Sequence, residues 1–219
     1  MNERNLRSWL LIADDSEARF AAAMQSGADV VILDSRRVDL WYQSPLPMRE
    51  RAPRLAIKVG EATEEDLEAS MAAAPWAILA SCRCRADVQR LGGRLAVREA
   101  RLGLTDGATR IVACVFDAKG VLNLSSFADA SPRLAALTWD EDALKANLYA
   151  PRAKVAPALA RGLLILAAAA ADVAAIDGPA ALSDFRAQAE NAREEGFCGK
   201  FASTPEQVAI LNAVFAPAP

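Results

Sequence analysis

The chain has 219 residues, of which 53% are hydrophobic and 24% are charged, a composition that suits one globular domain over residues 1–219. Its 25 basic and 28 acidic side chains leave a net charge of -3 without a basic tract, which argues against nucleic acid as a partner. The absence of histidine excludes Ser-His-Asp and Cys-His nucleophiles and histidine-based zinc sites. Acid–base chemistry would therefore fall to carboxylates, lysine, cysteine or tyrosine.

The longest apolar run, residues 163–171, is mostly alanine and is far shorter than the roughly 20 residues that span a bilayer. We interpret it as a buried helix and expect no membrane contact. The amino terminus carries Glu3, Arg4 and Arg7 where a signal peptide would be apolar, which predicts a cytoplasmic protein. The four cysteines follow no zinc or thioredoxin spacing, so free thiols are expected. They are Cys82, Cys84, Cys114 and Cys198.

Eight short apolar or β-branched runs predict strands. They cover residues 9–13, 30–34, 55–59, 77–80, 111–115, 134–138, 173–176 and 200–202. Helix start and stop signals lie between most of them. The predicted helices are 16–26, 64–73, 85–101, a short helix after Gly120, 154–171, 184–195 opened by Ser183, and 205–215. The last begins with a capping box of Thr204 and Gln207, with Pro205 at the first helical position.

Alternating strands and helices predict a parallel sheet, because each parallel pair needs a long crossover. Eight such units predict a closed (β/α)8 TIM barrel, and the fully apolar strands suit a sheet covered on both faces. An open doubly wound sheet is the alternative. It would need a glycine-rich loop after a strand, whereas Gly92 and Gly93 lie inside a helical segment. The second crossover, residues 34–53, shows no helical pattern and is predicted to be irregular.

In a barrel, function lies at the carboxyl ends of the strands. Carboxylates dominate that face, although a single strand-end aspartate is most simply a helix cap. The set comprises Asp14, Asp15, residues 34–37, Lys58, residues 81–83, Phe116, Asp117, Lys119, residues 139–142, Asp177, Ser203 and Thr204. In the second crossover Trp41, Tyr42 and Leu46 either pack over the barrel end or form an oligomer contact.

Five collinear segments are similar to a known family. They are RSWLLIADDSEARFAAAMQSGADVVILD, ADVQRLGGRLAVREARLGL, RIVACVFDAKGVLN, SPRLAALTWDEDALKANL and FCGKFASTPEQVAILNAVFAP. Together they resemble the citrate lyase β-subunit-like proteins of the HpcH/HpaI aldolase superfamily, with their motifs R-S-x-L-F-V-P-G, I-E-T-A-x-G-L-L-N and G-F-x-G-K-x-x-I-H-P. The resemblance covers nearly the whole chain and implies a (β/α)8 barrel, in agreement with the strand count.

The resemblance also implies a carbon–carbon lyase for β-hydroxy, malyl-type or citryl-type acids or their CoA thioesters. In such enzymes Mg²⁺ is bound by oxygen ligands and stabilises the enolate that develops on cleavage. By the same resemblance the chain would assemble as a homotrimer or hexamer. A hetero-complex with an active relative is the other arrangement that we consider.

The chain departs from the family at the metal positions. Phe116 stands where the family has its metal-binding glutamate, and Ala143 stands at the metal-binding aspartate in an ungapped match. A slip of one residue would bring Asp142 to that place. An acidic pair of the family is replaced by Arg36 and Arg37. We predict that the ring of Phe116 projects into the barrel mouth, and we expect no Mg²⁺ to bind.

The substrate positions are altered as well. Lys58 replaces an arginine and keeps its charge without the bidentate fork, and Ser81 lies within the family's P-K-V motif. By position Arg7, Lys58 and Ser81 are the expected substrate contacts.

Two hypotheses follow. In the first, reduced or lost catalysis leaves a binding or accessory subunit, as the simultaneous loss of several polar positions favours. In the second, an active Mg²⁺-dependent lyase has a relocated site, with Asp117 and Asp142 as ligands and Lys58 and Asp117 in catalysis.

Overall fold

The computed structural model describes residues 5–12, 16–43, 52–60, 62–179 and 184–217. Its strands form one closed barrel in chain order, all neighbours are parallel, and the last strand pairs with the first. The predicted (β/α)8 barrel is therefore confirmed, and an open sheet is excluded.

All eight predicted strands are present, with ends shifted by a residue or two. They are β1 (Ser8–Leu11), β2 (Val30–Asp34), β3 (Arg54–Val59), β4 (Ala77–Ser81), β5 (Arg110–Val115), β6 (Leu134–Trp139), β7 (Ala174–Asp177) and β8 (Gly199–Ala202). The helices are α1 (Glu17–Gln25), α2 (Asp39–Gln43), α3 (Glu64–Ala72), α4 (Arg85–Leu102), α5 (Ala118–Leu122), α6 (Glu141–Asn147), α7 (Val155–Ala170), α8 (Phe185–Glu195) and α9 (Pro205–Val214). The prediction had missed α6, and α5 begins before Gly120 rather than after it.

Two apolar clusters divide the core. The inner cluster consists almost entirely of alternate strand residues, such as Ile32, Ala56, Leu79 and Val112, and therefore fills the barrel. The outer cluster combines the intervening strand residues with helix residues and joins the barrel to its helices. Because side chains alternate along a strand, the residue after each inner residue points outward and the next one points inward again. This register decides which strand-end side chains reach the mouth.

Side-chain caps begin several helices as the sequence predicts. The hydroxyl of Thr63 accepts from the N–H of Asp66 at the start of α3. The capping box predicted for α9 is not formed: Gln207 Oε1 accepts from Ser203 N, one residue before the N-cap, at 2.7 Å, and Thr204 makes no capping bond. Its hydroxyl instead bonds to Glu206, an interaction that lowers the pKa of that carboxyl group.

In the described part of the second crossover, residues 34–43 and 52–53, the helical elements are short, as predicted. It contains the 3-10 turn Ser35–Arg37 and the five-residue α2, while residues 44–51, including Leu46, lie outside the described part of the chain, as does Ser183 before α8. Trp41 packs edge-on against Phe20, with ring centroids 6.3 Å apart. Trp41 therefore joins the core; the side chain of Tyr42 lies outside the description.

The prediction of a buried helix over residues 163–171 is correct for the side that faces the barrel and wrong for the opposite side. Leu164 and Ala168 of α7 are buried against the barrel, but Leu166 is 68% exposed. A run that is apolar on every side predicts burial all round, and in this helix only the inner side is covered. Within the described residues, no helix has the length and apolar character needed to cross a membrane.

Candidate functional site

Five polar side chains lie on the inner face at the carboxyl ends of β2 to β6. They are Asp34, Lys58, Ser81, Cys114 and Thr138. Each follows a residue of the inner cluster by two positions and so points inward. The strand register pairs Asp34 with Lys58, Ser81 with Cys114, and Cys114 with Thr138. The barrel mouth is therefore bordered by a band of polar groups.

Lys58 is exposed, and no hydrogen bond or ion pair joins its ammonium group to a described residue. The neighbouring carboxylate of Asp34 is engaged by Arg36, whose Nε and Nη2 atoms donate to its two oxygens at 2.7 and 3.0 Å. These bonds from Arg36 hold the pKa of Asp34 below its usual value, and the charge of Lys58 adds to the effect. Lys58 thus presents a cation to the mouth.

Thr138 and Cys114 lie deeper and were missed by the sequence analysis. Thr138 is 0% exposed, and its hydroxyl has no hydrogen-bond partner within the described structure, an arrangement that is costly unless something pairs with the group. Burial, aided by the charge of Asp140, raises the pKa of the Cys114 thiol to about 12. The thiol is therefore neutral near pH 7 and is not a ready nucleophile. The sequence could have indicated both residues, because each is a polar residue at an inward position of an otherwise apolar strand.

Asp117 directly follows Phe116 and caps α5. Its Oδ1 accepts from Gly120 N at 2.8 Å, and its Oδ2 accepts from Arg83 Nε at 2.5 Å. The residue is 5% exposed. Both carboxylate oxygens already serve the helix start and an ion pair.

Phe116 is half-buried and lines a cavity of about 480 Å³ beside Ser81, with α4 forming the far wall. The guanidinium of Arg83 lies 4.8 Å from the centroid of its ring, a cation–π contact. Phe116, which the resemblance aligns with a metal-binding glutamate, is thus an aromatic side chain covered by an arginine.

Asp142 lies elsewhere. It is exposed and lines a separate cavity of about 530 Å³ outside the barrel, next to Trp139, Arg161 and Lys200. The neighbouring Ala143 donates its N–H to the capping carboxylate of Asp140. The structure therefore does not bring Asp142 together with Asp117.

Among the described residues, no three or more histidine, cysteine, aspartate and glutamate side chains lie together in an arrangement that could hold a metal ion. Asp14 and Asp15 at the end of β1 lie outside the described residues.

Arg7 lies before β1, at the amino end of the barrel. Its backbone N–H donates to Asp29 Oδ2 at 2.8 Å, and its Nε lies 3.3 Å from the same atom. Lys58 and Ser81, by contrast, lie at the carboxyl ends of their strands. Of the three expected substrate contacts, the structure brings only these two to the mouth.

A buried ionic cluster lies behind β7 and β8, with Asp177 at its centre. Lys200 Nζ donates to Asp177 Oδ2 at 2.5 Å, while Arg161 Nη1 and Trp139 Nε1 donate to Oδ1 at 2.6 and 2.9 Å. Sequence analysis had placed Asp177 at a strand end but had missed Lys200. Lys200 could have been found as a lysine within the otherwise apolar segment FCGKFA, where a buried charge needs a partner.

No family model matches the chain. A segment of 109 residues is 38% identical to the (3S)-malyl-CoA thioesterase of Cereibacter sphaeroides and covers 47% of this chain but only 38% of that protein. The citrate lyase β subunit of M. tuberculosis, complexed with oxaloacetate and magnesium, superposes with a TM-score of 0.76 at 23% identity, covering 99% of this chain and 100% of the other. The resemblance to citrate lyase β-subunit-like proteins is confirmed.

Other solved structures share this barrel fold. RipC from Yersinia pestis has a TM-score of 0.73 at 24% identity, with 99% of this chain and 98% of that chain covered. A malate synthase from Haloferax volcanii, in a magnesium and glyoxylate complex, has a TM-score of 0.79 at 17% identity, with 98% and 76% covered. At these identities the likeness shows the fold.

Proposed function

We propose that this citrate lyase-like barrel binds a small carboxylic acid, free or as its CoA thioester, at the mouth and has reduced or lost carbon–carbon lyase activity. Its role is then that of a binding or accessory subunit. The observation that carries the proposal is the set of groups at the mouth. The ammonium of Lys58, which no described residue engages, and the exposed hydroxyl of Ser81 are present, whereas no three metal-ligating side chains of the described residues lie together.

These groups suit a carboxylate ligand. An ammonium group donates up to three charge-assisted hydrogen bonds, and the hydroxyl of Ser81 donates one. The thioesterase and the citrate lyase subunit that resemble the chain act on or bind acids of this kind according to their names, malyl-CoA and oxaloacetate. Cleavage additionally needs strong stabilisation of an enolate, and loss of one preorganised charge commonly costs about 100-fold or more in rate. Phe116 supplies no such charge.

Calorimetric titration with oxaloacetate, pyruvate and acetyl-CoA, each with and without Mg²⁺, tests the binding. We expect binding of at least one ligand to be independent of Mg²⁺ and to weaken roughly tenfold or more in Lys58→Met. Lys119→Met, which removes an exposed lysine from α5, is the matched control and should bind normally. Binding that appears only with Mg²⁺ would contradict the proposal.

An assay with citryl-CoA and malyl-CoA in the presence of Mg²⁺ or Mn²⁺ tests the loss of catalysis. We expect no measurable cleavage. Turnover that disappears in Asp142→Ala or Asp117→Asn would instead establish the active lyase with a relocated metal site. Asn at position 117 retains an oxygen for the α5 cap, so loss of activity would not simply reflect loss of the helix start.

We further infer that residues 1–219 act as one domain in the cytoplasm. All four cysteines are free, which supports a reducing compartment. Cell fractionation with an antibody to the chain would test the location, and recovery in a periplasmic or extracellular fraction would refute it.

A further inference from the structure

The outward face of α7 is apolar along its whole length. Val155, Leu159 and Leu166 are 83%, 59% and 68% exposed. The other exposed residues of the helix are Ala158, Gly162, Ala169 and Ala170. Their spacing of three and four residues places them along one side of the helix. The outer side of α7 thus presents no polar side chain to solvent.

This face differs from that of the other long helix. The outward side of α4 carries Arg85, Arg90 and Arg101, as expected for a helix that borders water. The one charged residue of α7, Arg161, turns inward and pairs with Asp177 and Glu195. The outward face of α7 therefore contains no charge that would repel a similar surface.

The apolar area is close to what an interface needs. Leu122, which is 81% exposed, lies on α5, and α5 packs against α7. Together with the exposed residues of α7 it presents on the order of 700 Å², against about 800 Å² per partner in a standard protein–protein interface. An isolated apolar side chain needs no explanation, but several exposed apolar side chains along one helix face are typical of an interaction site.

We propose that this face binds the same face of a second copy of the chain, in an antiparallel arrangement about a two-fold axis. In such an interface, residue i of one copy contacts residue j of the other, and the converse holds. An axis at the middle of the helix, between residues 162 and 163, sets Leu159 of one copy against Leu166 of the other. The same axis sets Val155 against Ala170.

The sequence of the helix is suited to this pairing. Large side chains at positions 159 and 166 lie on either side of the centre, where Ala158 and Gly162 leave room for the two helices to approach closely. A Cβ atom added at Gly162 would meet nothing within 4 Å inside the chain. The face is therefore both uncharged and self-complementary, which favours a second copy over a charged partner. The inference does not rest on the proposed function.

Light scattering coupled to size-exclusion chromatography, at about 1 to 100 µM of the full chain, tests the association. We expect the wild-type chain to form dimers, or an even-numbered assembly that contains them. Leu159→Glu should weaken the contact roughly 100-fold or more, because each two-fold interface carries the buried charge twice. Leu102→Glu is the matched control: it changes a leucine on α4 that is 49% exposed and should leave the assembly intact.

A rescue experiment tests the antiparallel geometry. In Leu159→Glu/Leu166→Lys each glutamate should meet a lysine of the other copy, so association should recover in part and should fall again at high salt. Parallel pairing would set glutamate against glutamate and give no recovery. Circular dichroism melting shows that each variant is folded.

Three results would overturn the proposal. The first is a wild-type chain that stays monomeric at about 100 µM, which includes a chain that associates only with an added relative. The second is an assembly that Leu159→Glu leaves intact. The third is a folded double variant whose association does not recover. A hexamer that Leu159→Glu converts into trimers would support it.

Discussion

The ionic cluster behind β7 and β8 and the polar groups at the barrel mouth use charge in opposite ways. Asp177 and Lys200 are each 2% exposed, and every oxygen of Asp177 is hydrogen-bonded. Lys58 at the mouth is exposed and engages no described partner. A charge removed from water is stable only when it is paired, so the buried cluster serves the fold. The groups available to a ligand are those at the mouth that no described residue engages.

The buried ion pair of Glu99 and Arg133 is also fully hydrogen-bonded, like the Asp177 cluster. Glu99 of α4 is 0% exposed and accepts from both terminal nitrogens of Arg133, at 2.9 and 2.7 Å, and from the backbone of Gly107 and Thr109. Four hydrogen bonds satisfy the carboxylate, and they tie the end of α4 to the segments that enter β5 and β6. This pair too is best understood as a structural element.

The largest effect is expected from Asp177→Ala, which leaves Lys200 buried without its partner. Removal of one member of a buried ion pair typically costs about 3 to 5 kcal/mol, and urea unfolding would measure the loss. Asp142→Ala is the control, because Asp142 borders the same cavity but is exposed, and should change stability by less than about 0.5 kcal/mol. Similar losses in the two variants would remove the distinction between buried and exposed charge.

A similar loss is expected from Gly178→Ala, which tests how tightly this region is packed. An added Cβ atom would lie 2.2 Å from the carbonyl oxygen of Trp139, so the backbone that also bonds to Lys200 must shift. We expect a loss of about 3 kcal/mol in thermal or urea unfolding. Gly93→Ala on α4, where nothing lies within 4 Å, should instead stabilise the protein by about 0.5 to 1 kcal/mol.

A smaller, pH-dependent effect should separate Glu99 from the exposed acids. Burial alone would raise its pKa, but the bonds from Arg133 and from two backbone N–H groups outweigh burial and hold the pKa below the usual 4.5. The pair therefore stabilises the fold fully above about pH 4.5, and this contribution is lost as the pH falls through the lower pKa of the folded state. Unfolding measured between acidic and neutral pH should show a steeper fall in the native chain than in Glu99→Gln. An equal dependence of the unfolding free energy on pH in both proteins would argue against a lowered pKa of Glu99.

The smallest effect on stability is expected from Lys58→Met. Because the ammonium is exposed and unengaged by described residues, its loss should alter the free energy of unfolding by less than about 0.5 kcal/mol, although ligand affinity at the mouth falls. A loss above about 2 kcal/mol would show that Lys58 has a structural partner. The contrast with Asp177→Ala would then no longer hold.

The strands were predictable because their signals are local. Apolar runs bounded by glycine and capping residues mark them. The Asp177 cluster was not predictable, since its bonds join residues 16, 23 and 38 positions apart. Helix α6 was missed because Asp140 and its neighbours were interpreted as site residues, whereas Asp140 caps that helix.

The exposure of α7 was unpredictable for a different reason. A run of alanine and leucine carries no polar side to mark the solvent face, so periodicity gives no orientation. Only the packing of the helix on the barrel shows which residues remain uncovered.

The pairing of β1 with β8 also determines when the protein can complete its fold during synthesis. Trp9 lies in register with Phe201, and Ser8 Oγ donates to Asn212 Oδ1 of α9 at 2.8 Å, 204 positions away. Until β8 and α9 have left the ribosome, one edge of β1 has no strand to pair with, and Trp9 lacks its ring contact with Phe201. An unpaired strand edge is prone to aggregation. A nascent chain halted before Gly199 should therefore depend on chaperones far more than one released after Val214.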